Sequence, residues 1–275
     1  MTGNGIKVAI IDLYNNEVNE GMRCIKEIVS ETKSPAGVNL SYNVYETRFK
    51  DVIPGTEYDI YISSGGPGSP FEGKGTSWEN KYFKFLDDIL AFNQNNSDRK
   101  KYVFFICHSF QMMTRYFKFA DVEKRNSKSF GVLPFNLTDA GKKDFIFENL
   151  PDPFYAADFR EYHVINPDKK IFSELSADIL ATEYEDDYSE NALMAVRISP
   201  EIAGTQFHPE ADPNSMLYHF KQDERKKFII SKYGEDKYFE MLAFIDQQDK
   251  IKLTRKTVLP NFLNSAIDKL NFTPA

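Results

Sequence analysis

The chain has 275 residues, of which 41% are hydrophobic and 27% charged, and its formal net charge is -7. This length suits one large domain or one domain with an appendage, and an acidic surface disfavours nonspecific binding to nucleic acid. No apolar run approaches the ~20 residues that cross a bilayer, and residues 1–5 show no signal-peptide pattern. The two cysteines make no disulfide framework. We therefore expect a cytoplasmic protein without a membrane or nucleic-acid partner.

The first half of the chain alternates apolar runs of strand length with amphipathic stretches of helical period. Strands are predicted at residues 7–13, 39–48, 58–63 and 100–106, helices at residues 17–30 and 77–93, and a loop at residues 34–37. A further helix is predicted after Cys107, where Met112, Met113, Tyr116 and Phe117 recur at helical spacing. This alternation predicts an α/β fold with a doubly wound, mostly parallel sheet.

The second half of the chain reads as continuing sheet followed by helices. Shorter strands are predicted at residues 130–137, 154–165, 179–184 and 192–198, and a helix from about residue 214. Residues 235–275 are predicted to be helical with an interruption at residues 260–263, which begin with a proline. We therefore expect a domain over residues 1–235 and a helical C-terminal extension over residues 236–275. The apolar stripe of the extension favours packing on the domain over docking of a partner.

Cys107 stands at the junction of a predicted buried strand and a predicted helix. A sharp strand-to-helix turn pushes a nucleophile out above a sheet, and the N-terminus of the following helix favours the thiolate. A buried structural cysteine gives the same local pattern. Residues elsewhere in the chain must decide between these two interpretations.

A thiol nucleophile needs a base, and the base needs a third group that orients it. The chain has four histidines, at positions 108, 163, 208 and 219. Only His208 is followed by a proline and then an acidic residue, Glu210; the proline stops the predicted strand and fixes a turn in which the two side chains can converge. His219 reads as a solvated residue of a charged helix. The pattern predicts His208 as the base and Glu210 as its orienting group.

The segment at residues 64–69, Ser-Gly-Gly-Pro-Gly-Ser, follows the third predicted strand. Glycines let the backbone approach closely, and exposed N–H groups stabilise the oxyanion that forms when a carbonyl is attacked. The segment lacks the last glycine of a dinucleotide fingerprint and the Gly-Lys-Ser/Thr end of a P-loop. No close-spaced ligand pair supports a metal site, so we expect neither metal nor cofactor. Loops that follow parallel strands open at one edge of a doubly wound sheet, where this segment should meet Cys107.

Together these segments resemble the class I glutamine amidotransferases, a family that includes the glutaminase domain of GMP synthetase. The elbow of that family is Gly-x-Cys-x-Gly-x-Gln, and residues 105–111 read Phe-Ile-Cys-His-Ser-Phe-Gln, so Cys107 and Gln111 match while both glycines are replaced. The second signature of the family stands at residues 204–210 as Gly-Thr-Gln-Phe-His-Pro-Glu. The resemblance covers roughly residues 7–220 and implies a flavodoxin-like fold.

The resemblance implies a glutamine-hydrolysing enzyme. Cys107 attacks the side-chain amide of glutamine, His208 takes the thiol proton and later protonates the departing ammonia, and Glu210 holds His208 in the required tautomer. Water then hydrolyses the γ-glutamyl thioester to glutamate. Ammonia is expected to pass to a separate synthetase or other acceptor enzyme, because this chain contains no ATP-binding motif.

The resemblance also assigns the substrate pocket. The N–H groups of Gly66 and His108 would bind the oxyanion, Gln111 would line the glutamine pocket, and residues 160–163 would hold the amino and carboxylate groups of the substrate. Two positions depart from the family, since Phe105 and Ser109 stand where it has glycine. Phe105 requires a neighbouring gap, or else the elbow is shifted. Two alternatives therefore stay open: a γ-glutamyl hydrolase with the same triad, and a non-catalytic binding homologue.

Overall fold

A computed structural model describes residues 5–32, 40–184, 192–236, 238–239, 242 and 249–271. The loop predicted at residues 34–37 and residues 243–248 of the predicted C-terminal helix lie outside these ranges. The strands are β1 (Ile6–Asp12), β2 (Leu40–Glu46), β3 (Ile60–Ser63), β4 (Tyr102–Ile106), β5 (Asp121–Leu137), β6 (Phe154–Ile165), β7 (Asp178–Glu183), β8 (Leu193–Ser199) and β9 (Ile202–Thr205). The helices are α1 (Gly21–Glu31), α2 (Thr47–Lys50), α3 (Ser77–Asn95), α4 (His108–Phe117), α5 (Lys169–Leu175), α6 (Pro213–Lys221), α7 (Asp223–Tyr233) and α8 (Asp249–Asn271).

All nine strands form one sheet, in the order β2-β1-β3-β4-β9-β8-β7-β5-β6. The strands from β2 to β9 in this order pair in parallel, and β8, β7, β5 and β6 continue the sheet with antiparallel pairs. This is the doubly wound α/β fold that the sequence predicts. The carboxyl ends of β1, β3, β4 and β9 meet at one edge, which brings the loops after them together.

The two faces of the sheet are buried under different helices, because consecutive strand residues point to opposite sides. On one face, Val8 and Phe104 belong to a buried cluster with residues of α1 and α8. On the other face, Ala9 and Phe105 belong to a second cluster with residues of α3 and α4. Burial on both faces explains why β1 and β4 read as continuous apolar runs in the sequence.

Several element boundaries differ from the predicted ones. The strand β5 begins at Asp121 rather than at residue 130, because its first half is a polar, largely exposed ribbon that carries no apolar alternation. The second predicted strand ends at Glu46, and the short helix α2 follows it. The helices α5 and α7 were not predicted, and α1 begins at Gly21 rather than at residue 17.

The predicted interruption at residues 260–263 is wrong, because α8 continues through Pro260. A proline inside a helix costs about 3 kcal/mol, since it removes one hydrogen bond and crowds the preceding turn. Four neighbours, Val258, Leu259, Phe262 and Leu263, are buried against the sheet. Full burial of each such side chain stabilises by about 1.5–3 kcal/mol, so packing outweighs the cost of the proline. Within the described residues, no helix is long and apolar enough to cross a membrane.

Candidate active site

Cys107 lies in the turn between β4 and α4, with φ 51° and ψ -101°. A non-glycine residue rarely adopts a positive φ, and such strain persists only where the surroundings hold it. Here the Cys107 N–H donates to the Thr205 carbonyl of β9 at 2.8 Å, and the Gln111 N–H donates to the Cys107 carbonyl at 3.1 Å. The turn is therefore fixed to the neighbouring strand and to the first turn of α4.

Phe105 stands at the first position where the elbow differs from Gly-x-Cys-x-Gly. The space that its side chain requires is present on the neighbouring strand. Phe105 pairs with Gly204 of β9. A Cβ added to Gly204 would stand 2.9 Å from the Phe105 Cβ, which is closer than real Cβ contacts allow, and 3.1 Å from Phe110 Cδ2, which is tighter than most of them. The missing side chain at Gly204 thus makes the space that Phe105 needs.

Ser109 stands at the second position where the elbow differs from the family pattern, and its side chain hydrogen-bonds the elbow to the sheet. Its Oγ accepts a hydrogen bond from the Ile106 N–H at 2.8 Å and donates to the Ser63 carbonyl at 2.7 Å. The residue is fully buried. The hydroxyl therefore bonds two backbone groups of β4 and β3 where a glycine would leave only close packing.

His208 follows β9, and its N–H donates to the Ala157 carbonyl of β6 at 2.8 Å. Its Nδ1 lies 2.8 Å from Oε1 of Glu210, whose side chain is only 1% exposed. The Cys107 side chain lies beside the same imidazole, because a Cβ added to Gly65 would meet both His208 Cε1, at 2.9 Å, and Cys107 Cβ, at 3.7 Å. The structure thus brings together the three residues that the sequence singles out as nucleophile, base and orienting group.

Electrostatics separate His208 from the other histidines. Burial opposes its charged form, but the Glu210 carboxylate and the Cys107 thiol outweigh burial and raise the pKa of His208 well above its ordinary value. Burial, aided by Arg48 and Arg115, lowers the pKa of His108 to about 3. His208 is therefore the histidine that can hold a proton beside the thiol at neutral pH.

The glycine-rich segment after β3 is held against the end of β1. The Leu13 N–H donates to Ser64 Oγ at 2.9 Å, and Arg48 Nη1 donates to the carbonyls of Leu13 at 3.0 Å and Pro67 at 2.8 Å. A Cβ at Gly65 would stand 2.9 Å from His208 Cε1, and one at Gly66 would stand 2.5 Å from the Leu13 carbonyl. The residues must be glycine for this loop to approach the thiol so closely.

A cavity of about 470 Å³ opens over the thiol, and its walls include Cys107, His208, Gly66, His108 and Gln111. Its volume falls in the range of small-molecule sites. Gln111 donates through Nε2 to Gln206 Oε1 at 3.1 Å, and Gln206 Nε2 lies 3.7 Å from Cys107 Sγ. Gln111 thus lines the cavity and fixes the orientation of a second amide at the thiol. Within the described ranges, no group of three His, Cys, Asp or Glu side chains is arranged to hold a metal ion.

Comparison with known proteins decides the family. The model of the class I glutamine amidotransferase family matches residues 22–225. The chain belongs to this family. A glutamine amidotransferase from Thermotoga maritima has the same fold, with a TM-score of 0.66 and 16% identity over 96% of this chain and 99% of that one. The glutaminase domain of Trypanosoma brucei CTPS, with bound acivicin, superposes with a TM-score of 0.55 and 12% identity over 89% of this chain and 95% of that one.

A curated relative has a different activity in its name. The homoserine O-acetyltransferase of Catenibacterium mitsuokai is 28% identical over 226 residues, which is 80% of this chain. The chain spans 66% of that relative's length, just under two thirds.

Arg160 places a buried cation at the cavity wall. Its Nε lies 2.9 Å from Asp158 Oδ2 and its Nη2 lies 2.8 Å from Glu183 Oε1. Burial opposes its charge, but these two carboxylates raise its pKa. Nη1 is buried without a hydrogen-bond partner among the described residues. Residues 160–163, which the resemblance assigns to substrate binding, thus begin with a fixed guanidinium that retains one unused donor group.

Sequence reasoning missed several residues that line the cavity, among them Tyr14, His219 and Arg225. Tyr14 lies beside the triad, since a Cβ at Gly21 would meet both the Tyr14 hydroxyl, at 2.4 Å, and Glu210 Oε1, at 3.3 Å. His219, predicted to be solvated, is half-buried: its Nδ1 is buried and its ring packs 5.4 Å from that of Phe159. The available signal was its spacing from Met216 and Phe220, which places all three on one face of α6.

Proposed function

We propose that this protein hydrolyses glutamine through a γ-glutamyl thioester on Cys107 and supplies ammonia to a separate acceptor enzyme in the cytoplasm. The observation that carries the proposal is the 2.8 Å contact between His208 Nδ1 and Glu210 Oε1, made beside a thiol on a strained elbow. A carboxylate on Nδ1 leaves Nε2 for the thiol, which is the arrangement that activates a nucleophile.

The reaction follows from these positions. The Cys107 sulfur attacks the amide carbon of glutamine, and the developing oxyanion is stabilised by the backbone N–H groups of Gly66 and His108. His208 then protonates the departing ammonia, and the C–N bond breaks. Water, deprotonated by His208, attacks the thioester carbon, the C–S bond breaks, and glutamate leaves while the proton returns to sulfur.

The cavity supports recognition of an amino-acid substrate. The unused Nη1 donor of Arg160 favours the α-carboxylate, since a buried guanidinium gains most from a charged acceptor. The exposed Glu17 lies at the same cavity and favours the α-ammonium group. Gln111, already bonded to Gln206, would contact the side-chain amide of the substrate.

The synthetase partner is a proposal by analogy. The Trypanosoma brucei structure is described as the glutaminase domain of a CTPS, and a glutaminase domain is one part of a larger ammonia-using system. Because the present chain shows no nucleotide-binding motif, we propose that the enzyme that consumes the ammonia is a separate protein.

The test measures glutamate release from glutamine by the wild-type protein, by Cys107→Ala and by Cys24→Ala, with and without candidate synthetases. We expect Cys107→Ala to abolish release. Cys24→Ala is the matched control, because burial and the Asp212 and Glu210 carboxylates raise the pKa of Cys24 to about 12 and keep it a thiol. Acivicin should label Cys107 and spare Cys24. Release that survives in Cys107→Ala, or its absence from the wild type under every condition, would overturn the proposal.

A second candidate function is acyl transfer to a hydroxyl group, and the 28% identity to a homoserine O-acetyltransferase favours it. The same thiol would carry an acetyl group, and an alcohol would replace water as the nucleophile. An acetyl thioester donor with homoserine should then release free thiol at a rate that Cys107→Ala abolishes, while glutamine yields no glutamate. A γ-glutamyl hydrolase would instead prefer γ-glutamyl conjugates to glutamine, and a non-catalytic homologue would turn over none of these substrates.

A further inference from the structure

One wall of the cavity is made by α6 and α7, which lie outside the glycine-rich loop and the elbow. His219 of α6 and Arg225 of α7 line this wall, together with Phe130 of β5 and Phe159 of β6. None of these residues has a role in the hydrolysis of glutamine described above.

Arg225 is a half-buried cation for which the described residues supply no acidic partner. Its guanidinium lies 6.0 Å from the ring centroid of Phe130 and 5.8 Å from that of Phe159, so aromatic faces position it. Burial lowers its pKa, and among the described residues Tyr14, Tyr218 and the Glu17 carboxylate oppose this effect. Among the described residues, no acidic side chain forms an ion pair with it. An anion bound in the cavity would offset this cost of burial.

His219 supplies a second unsatisfied group on the same wall. Its Nδ1 is buried and has no hydrogen-bond partner within the described part of the chain. Burial, with Arg225 and His208 nearby, lowers its pKa to about 4, so the ring is neutral at physiological pH. A neutral imidazole beside a guanidinium can bind a small polar anion without adding a charge of its own.

This wall lies on the side of the catalytic base. Phe159 connects the two, because its carbonyl oxygen lies 3.8 Å from Cys107 Sγ and its ring lies 5.9 Å from the His208 ring. The base gives its proton to the leaving group and takes one from the incoming nucleophile, so both must pass the base. Arg225 and His219 therefore border the path by which the leaving group departs and the incoming nucleophile arrives. They do not border the part of the cavity that holds the acyl group.

Arg160 serves a different part of the cavity. Phe159 and Arg160 are consecutive residues of β6, paired with Phe130 and Ser129 of β5, so their side chains leave opposite faces of this two-stranded ribbon. Arg225 packs on the Phe130 and Phe159 face. The cavity wall thus carries Arg160 on one face of the ribbon and Arg225 on the other, besides the exposed Lys128 that pairs with Glu161, and a single α-carboxylate occupies only one of the two guanidinium groups.

We propose that Arg225 and His219 bind the carboxylate of a small amine or alcohol that accepts the acyl group from Cys107, so that the enzyme transfers γ-glutamyl groups to carboxylate-bearing acceptors. This inference rests on the thioester of the proposed function. The acceptor nitrogen or oxygen attacks the thioester carbon, the C–S bond breaks, and His208 moves the acceptor proton to sulfur. The products are a γ-glutamyl amide or ester and the free thiol, with no change of oxidation state.

The first experiment measures how the thioester formed from glutamine partitions between water and added nucleophiles. Glycine is compared with glycinamide, which lacks the carboxylate, and hydroxylamine serves as a neutral trap. We expect the wild type to prefer glycine over glycinamide, and Arg225→Gln to reduce this preference roughly 10- to 100-fold, as for a lost hydrogen bond to a charged group. Arg225→Lys should retain part of it. Lys227→Gln, an exposed residue two places further along α7, should retain all of it.

The preference is a ratio within each variant, so a partly unfolded variant does not distort it. An equal rate with glycine and glycinamide in the wild type, or a preference unchanged in Arg225→Gln, would overturn the inference while hydroxamate formation still upholds the thioester. Absence of hydroxamate contradicts the proposed function instead. Calorimetry of glycine and glycinamide with Cys107→Ala and Cys107→Ala/Arg225→Gln then decides the subsite: selective binding that is lost with Arg225 supports it, and equal binding overturns it.

Discussion

Phe105 shows how a strand can carry a large side chain close to a sharp turn when the neighbouring strand leaves room for it. The glycine of the signature at this elbow is absent, but Gly204 on the paired strand supplies the missing space. Ser109 replaces the other glycine and adds two hydrogen bonds to the backbone. The two departures are therefore accommodated locally, by the space at Gly204 and by the hydrogen bonds of Ser109, and Cys107 has a strained backbone conformation.

We predict that Gly204→Ala destabilises the fold by about 1–3 kcal/mol, because the new Cβ overlaps Phe105 in a packed core. Urea denaturation measures this loss. Gly55→Ala is the control, since its Cβ would meet only the mobile end of the Glu57 side chain. The loss should be smaller in a Phe105→Gly background than in Phe105→Ala, which keeps the clashing Cβ. Equal stability of Gly204→Ala and the wild type would contradict this account.

We predict that Glu210→Gln lowers kcat/KM for glutamine roughly 10²- to 10⁴-fold and narrows the pH profile. The Glu210 charge raises the pKa of His208, so its removal lets the imidazolium lose its proton at a lower pH. The alkaline limb of the profile should therefore shift to lower pH. The measurement is kcat/KM against pH, together with the rate of Cys107 alkylation. Glu148→Gln, at an exposed position, serves as the control, and an unmoved alkaline limb would refute the prediction.

At the scale of elements, the sequence predicted best where burial was complete. The strand β4 is buried at every position and therefore gives an unbroken apolar run, and the cysteine that ends it marks the turn. The first half of β5 escaped prediction because its residues are polar and because it pairs with β6 alone, on one side. Arg225 escaped because α7 has an apolar pattern too weak to predict, and its role depends on aromatic side chains more than sixty positions away.

The helix α8 contacts the catalytic turn although it lies beyond residues 22–225, the range matched by the family. Arg255 Nη1 donates to the Glu210 carbonyl at 2.5 Å, and Arg255 Nη2 donates to Glu27 Oε2 at 2.9 Å. Thr254 also donates to the Tyr155 carbonyl at 2.6 Å. The helix thus fixes Glu210, whose carboxylate contacts His208, and joins it to α1.

We predict that Arg255→Met lowers stability by about 1.5–3 kcal/mol and reduces kcat, because the buried Glu210 carbonyl loses a charged donor. Arg255→Lys should recover only part of the loss, since one ammonium cannot reproduce the fork of a guanidinium. Urea denaturation and steady-state kinetics measure the two effects. Lys256→Met, at the adjacent exposed position, should behave as the wild type. An Arg255→Met variant with unaltered kcat would show that the contact does not support the site.

At the scale of the whole molecule, α8 completes one face of the sheet. Its Phe262 ring lies 5.0 Å from that of Phe104, a residue of the central strand β4, and Leu259, Leu263 and Ile267 are buried in the same cluster. The expected division at residues 235 and 236 stays a prediction, but these contacts indicate that the two parts depend on each other for burial.

We predict that deletion of residues 249–275 yields a chain that binds a hydrophobic dye and unfolds without a cooperative transition. The deletion exposes several fully buried side chains, each worth about 1.5–3 kcal/mol, against a total stability of about 5–15 kcal/mol. Near-ultraviolet circular dichroism and urea denaturation measure the outcome. A Leu253→Ala variant, at an exposed position of the same helix, is the control. A truncated chain that keeps a cooperative transition of full amplitude would show that the first part folds alone.

The bond from Arg255 to Glu210 also has a consequence for the order of events during synthesis. It spans 45 positions of sequence, and the ribosome delivers the N-terminal residues first. Cys107, His208 and Glu210 all emerge before the arginine that secures the turn between the last two. We therefore expect the thiol to gain its full reactivity only after α8 has docked, so that a growing or prematurely released polypeptide is protected from alkylation and from wasteful loss of glutamine.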